Sequence, residues 1–243
     1  MMEILFSAVV VIGAGLTLTR LPRLTHSRNQ AIFLSGTAAC LAFALMIPAV
    51  YEPLDGLFLR TNFMDIFAKL ALLLAVNILV TEIARTLRNT RVQRLAAGLS
   101  GKTILVLTFA LELVLFAFTD TPQPSPGLGL YIGDPLVLAY NTVIVVYIAY
   151  LGALLIGPLL RDARTPPQSY RQASSALLAF GFVLAIVRAV IMLATFAFPG
   201  LYEPGQIISG FSALFVIAGL GSAWIALRKY GTPRIKQSTL RIE

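Results

Sequence analysis

Seven apolar runs, each about as long as a membrane is thick, divide this chain: residues 4–19, 30–50, 63–84, 103–119, 135–160, 173–198 and 206–228. A hydrocarbon core about 30 Å thick needs roughly 20 apolar residues of helix. Only 12% of the 243 residues are charged and 58% are hydrophobic, with a mean hydropathy of +0.84. Soluble domains carry roughly 25% charged residues, so the apolar content is spent on spanning segments. The expected fold is all-α: a polytopic bundle of seven transmembrane helices over 1–230, then a short basic tail over 231–243. The first run is short. Glu3 precedes it and Arg20, Arg23 and Arg28 follow it, the reverse of a signal peptide's basic start, so it reads as a retained span.

Lysine and arginine alternate strictly between the joints. Three lie in 20–29, five in 85–102, three in 161–171 and five from Arg228 onward. The opposite joints hold Arg60 alone, beside Glu3, Glu52, Asp55, Asp120, Asp134 and Glu203. By the positive-inside rule the N-terminus is outside and the C-terminus inside. The net charge of +8 is then a topological charge that meets anionic headgroups at the inner face. It has no aromatic interleaving or module motif that would indicate nucleic acid. The localisation implied is a plasma membrane, bacterial, crossed several times.

Four ionisable residues interrupt the spans. Asp65 and Lys69 lie in the third, Glu112 in the fourth (FALELVLF, 109–116) and Arg188 in the sixth. Such groups are costly in lipid and face a bundle interior or water, usually paired. Asp65 and Lys69, one turn apart, can pair along their own helix. At about 1.5 Å per residue, Lys69, Glu112 and Arg188 fall at comparable depth. Arg188 is therefore the expected partner of Glu112, with Lys69 the competitor. The fifth span adds Tyr140, Asn141 and Tyr147 near the same level, with Tyr150 lower and Asn77 of the third span deeper. The seven residues Asp65, Lys69, Glu112, Tyr140, Asn141, Tyr147 and Arg188 form the candidate site. Either they bind a ligand or pass an ion through an outward-opening cavity, or they only hold helices together.

Pro48 and Pro158 mark ends or kinks of the second and fifth spans. Trp224 and Tyr230 read as interfacial anchors. The Pro- and Gly-rich joint 120–135 is a connector or a lid, and TLRNTRVQRLAAGLSG can lie along the membrane as a short basic helix.

Several functions lack their residues. The seventh span, GQIISGFSALFVIAGLGSAWIAL, has no lysine for a retinal Schiff base. The inner end of the third, TEIARTLR, lacks the acidic-Arg-Tyr signature of eukaryotic receptors. The one cysteine, Cys40, and the one histidine, His26, offer no metal set, no pair of axial haem ligands and no catalytic constellation. The chain is expected not to be an enzyme, and no cofactor is implied.

Three stretches resemble a group of actinobacterial seven-helix membrane proteins usually described as transporters: TRLPRLTHSRNQAIFLSGTAACLAFALMIPAVYEPLD, GDPLVLAYNTVIVVYIAYLG and YRQASSALLAFGFVLAIVRAV. The resemblance implies a seven-helix bundle and, after it, a cytoplasmic domain, where this chain has GTPRIKQSTLRIE. It carries no functional residue over. Two functions are expected. The first is a receptor-like or accessory protein that binds a small molecule or peptide from outside and contacts a membrane or cytoplasmic protein partner through its basic inner face. The second is a small-solute or ion transporter. A structural subunit of a membrane complex, joined through small-residue seams such as GLGSA (219–223), is a third.

Overall fold

A computed structural model describes residues 2–21, 27–58, 61–164 and 169–230. Arg23, Arg60 and the tail 231–243, on which part of the topology reading rests, lie outside these. The described residues form helices and turns, with no strand among them. In chain order the helices are α1 (Met2–Leu18), α2 (Ser27–Ala44), α3 (Pro48–Gly56), α4 (Phe63–Thr86), α5 (Thr90–Ala97), α6 (Leu99–Phe118), α7 (Pro135–Ala163), α8 (Ser169–Ala194) and α9 (Tyr202–Tyr230).

Five stretches are long and apolar enough to cross a membrane, or six if α2 and α3 are counted as one broken span. α1, at 17 residues, is a shorter apolar helix. The second apolar run is not the continuous helix its composition predicts. It breaks after Ala44, and α3 departs at 90°. Proline disfavours a helical conformation in the residue before it, and Ile47 is extended at φ −92°, ψ 117°. Pro48 then opens α3, where its missing N–H costs nothing.

Helix packing closes a ring. α1 packs on α2 and α9, α2 on α4, α4 on α7, α7 on α8, and α8 on α9. α6 stands outside it, packed on α5 and α7 and more lightly on α4. Only Gly101 and Glu112 of α6 are buried. Serine hydroxyls tie ring helices together: Ser35 donates to Ala75 O at 2.8 Å, Ser174 to Gly219 O at 2.7 Å and Ser212 to Gly181 O at 2.8 Å. Gly219 of the small-residue seam is thereby engaged with α8 of the same chain.

The basic joint 85–102 does form a short helix, α5, but it is docked rather than free. Asn89 caps it, accepting from Val92 N at 3.0 Å. Val92 and Ala96 enter a core shared with Leu73, Val80, Leu151 and Leu155. Asn77 donates to Ala96 O at 3.0 Å, and Tyr150 to Leu95 O at 3.2 Å.

At the opposite end, Asn62 holds a roof together. Its Oδ1 accepts from Tyr51 Oη and Ser125 N, both at 2.8 Å, and its Nδ2 donates to Thr121 O and Gln123 O, both at 2.9 Å. Asp55 of α3 accepts from Asn62 N and Met64 N, satisfying donors that the start of α4 would otherwise leave unpaired. The joint 120–135 is thus pinned down, and Leu128 is wholly buried against Ile66, Val137 and Tyr140. Gly127, at φ 65°, makes the left-handed turn that sends Leu128 inward, a conformation glycine adopts without steric cost.

Candidate functional site

A cavity of about 230 Å³ runs through the middle of the ring. All six ring helices line it; α6 contributes no residue. On α9 the wall extends from Gln206 to Leu220, about 20 Å at 1.5 Å per residue. The space is therefore a slot along the helices rather than a bowl at one end. Gly127 closes it under the roof, and Arg20 stands at its other end.

Most of the wall is aliphatic or aromatic, and the hydroxyls of its serines are already spent. Ser35 and Ser212 bond carbonyls of neighbouring helices, and Ser209 donates to Gly205 O on its own helix at 3.3 Å. What remains for a guest is charge and the amides of Asn141 and Gln206. Arg20, Lys69 and Arg188 line the slot, and among the described residues no aspartate or glutamate does.

All seven residues singled out in the sequence are buried, but they do not form one cluster. Asp65 and Lys69 pair as expected, at 3.0 Å. Tyr140 completes that unit in two ways: its hydroxyl donates to Asp65 Oδ2 at 2.8 Å, and its ring lies 3.2 Å from Lys69 Nζ. A cation over an aromatic face gains from the ring's quadrupole, more so when desolvated. Asn141 faces the slot, its amide donating back to Val137 O at 3.1 Å.

Glu112 is wholly buried, and neither carboxyl oxygen has a hydrogen-bond donor. It sits behind the wall of the slot. Lys69 and Asp65 are the charged side chains within electrostatic reach of it. The expected Glu112–Arg188 pair is not formed. Glu112 comes from α6, outside the ring, and Arg188 from α8; α7 packs against both and stands between them. Lys69, the competing partner, is the cation that Glu112 faces.

Tyr147 is also separate. Its hydroxyl accepts from Asn77 at 2.9 Å, and Asn77 in turn holds the end of α5. This pair joins α4, α5 and α7 and takes no part in the charged group.

Arg188 is 4% exposed, and its Nε and Nη1 have no hydrogen-bond partner. Among the described residues no carboxylate lies within ion-pair distance of it. Its guanidinium rests against Gly205, where an added methyl would stand 2.8 Å from Cζ, and lies 5.7 Å from the Tyr202 ring centroid. The Tyr202 hydroxyl donates to Gly127 O at 2.9 Å and meets the Gln206 side chain.

Gly205, Tyr202 and Gln206 were not singled out from the sequence, and neither were Asn62 and Asp55. One signal was present. Tyr-Glu-Pro occurs at 51–53 and again at 202–204, and both tyrosines are buried and reach the roof segment, Tyr51 through Asn62 and Tyr202 through Gly127. No protein-family model, curated protein or solved structure matches the chain.

Proposed function

We propose that this is a receptor-like or accessory membrane protein whose helix ring holds a small molecule in its central slot. The observation that carries this is Arg188: a buried guanidinium without a counter-ion, turned onto a cavity that contains no acid. A buried charge left uncompensated costs several kcal/mol, and intramembrane charges of this kind mark ligand or ion sites. The alternation of basic joints supports a roof outside and α5 inside, with α1 as a further, short span. The basic inner face is then the surface available to a protein partner or to anionic headgroups.

Transport is the second reading. The slot's length favours it, since its wall reaches from Gly127 under the roof to Arg20 at the other end of α1. Its apolar middle disfavours passage of a small hydrated ion.

The test is thermal unfolding of purified protein in zwitterionic nanodiscs against a panel of small anions, neutral compounds and cations. A ligand at one hundred times its Kd should add about 2.7 kcal/mol of stability. The expected result is at least one compound that raises Tm in the wild type and not in Ala39→Trp, which fills the slot from α2. A panel without any such shift would overturn the reading. Flux of the same compound into proteoliposomes would favour the carrier.

A further inference from the structure

We infer that the guest is a single-chain amphiphile with one anionic head group, its head on Arg188 and its tail along the slot. This deepens the reading above and rests on it. Three observations converge.

The first is charge. Lys69 is engaged by Asp65 at 3.0 Å and faces Glu112 behind the wall. Arg188 has no such partner. Among the described residues, Arg188 therefore offers the slot a guanidinium with no carboxylate on it, and its fork matches a carboxylate or a phosphate oxygen pair.

The second is the immediate setting of that head site. Gly205 lies against the guanidinium, the Tyr202 ring centroid is 5.7 Å from it, and Gln206 next along α9 also lines the slot. The setting suits a small oxyanion. A quaternary ammonium head would meet the like charge of Arg188.

The third is the wall. The serine hydroxyls bond backbone carbonyls, so the surface beyond the head is mainly apolar over about 20 Å at 1.5 Å per residue, with Lys69 held by Asp65 and Arg20 at the far end. Leu72, Val76, Ile148, Val216 and Ile217 line it. An extended acyl chain has the shape to lie along such a slot.

Palmitate, hexadecyl phosphate, hexadecanol and hexadecyltrimethylammonium share one tail and differ in the head. Binding of each to the protein in zwitterionic nanodiscs, read by displacement of a fluorescent fatty acid, tests the inference. Palmitate or hexadecyl phosphate should bind saturably and at least roughly tenfold more tightly than hexadecanol, about 1.4 kcal/mol, with the cation weaker still. The stronger of the two anions identifies the head as carboxylate or phosphate. Arg188→Gln should abolish that preference while leaving the protein folded, because it removes an uncompensated charge. In a second series of saturated fatty acids of graded chain length, Ala213→Phe, which narrows the slot on α9, should keep the preference for anions and shift the tightest-binding length to a shorter chain than in the wild type.

Equal binding of acid and alcohol, or an acid preference that survives Arg188→Gln, would overturn the head assignment. A chain-length preference unmoved by Ala213→Phe would overturn the tail assignment. If none of the four probes binds while a compact compound still raises Tm in the panel above, this inference falls and the ligand-binding reading stands. If nothing binds, both fall.

Discussion

Asp65, Lys69 and Tyr140 form a closed unit: a carboxylate that receives a hydroxyl, an ammonium between that carboxylate and an aromatic face. Removing one member of a buried pair typically costs about 3–5 kcal/mol, because the other charge is left without compensation. Asp65→Asn should therefore destabilise strongly, and Asp65→Asn with Lys69→Met should recover most of the loss; unfolding in detergent followed by circular dichroism checks this. Glu112 and Arg188 should behave differently. With no contact between them, Glu112→Gln and Arg188→Gln should add to within about 0.5 kcal/mol. A large coupling between those two would contradict the separation seen here. At Gly205, alanine places a methyl against the guanidinium. Overpacking of that kind costs about 1–3 kcal/mol, and it should also weaken anion binding by displacing Arg188.

At the scale of elements, the roof depends on one side chain. Asn62 accepts two hydrogen bonds and donates two, joining α3, the start of α4 and the 121–125 backbone. It also holds a left-handed backbone at φ 55°, which asparagine tolerates better than most residues. Asn62→Ala removes every one of those bonds and strains the turn. Hydrogen exchange of the amides at 123–130 should rise at least roughly tenfold, the loss of about 1.4 kcal/mol of local protection, while the amides of α8 keep theirs. Unchanged exchange would mean the roof is held by Leu128 and Tyr202 without Asn62. The roof was open to two sequence readings, connector or lid. Proline and glycine in 120–135 announce a turn, but the burial of Leu128 depends on a complementary pocket between α4 and α7, which no local pattern encodes.

For the whole molecule, the orientation is open to a direct test. In a Cys40→Ser background, Pro122→Cys places a thiol on the roof and Arg91→Cys places one on α5, both at exposed positions. A membrane-impermeant maleimide should label the first in intact cells and the second only after permeabilisation. The opposite pattern would reverse the topology. The ring itself explains why six helices surround a slot while α6 stays outside. Beyond its first turns α6 is almost wholly apolar, with Glu112 the one buried side chain in its C-terminal half, so it needs only one contact line, along α7 and α4.

Much of this was legible in the residues. Apolar runs of bilayer length predict helices because the backbone in lipid must satisfy its own hydrogen bonds. The Asp65–Lys69 pair follows from spacing on one helix, and the break at Pro48 from the conformation proline imposes on Ile47. Depth along the axis can also be estimated, since rise per residue is constant. The direction each residue faces around its helix cannot. A helix that is apolar on every side has no polar stripe to mark its inner face, so sequence places Glu112 and Arg188 at one level and leaves their bearing open. Packing of α7 between α6 and α8 decided it. The same packing gave Glu112 to Lys69 and left Arg188 facing a slot without an acid.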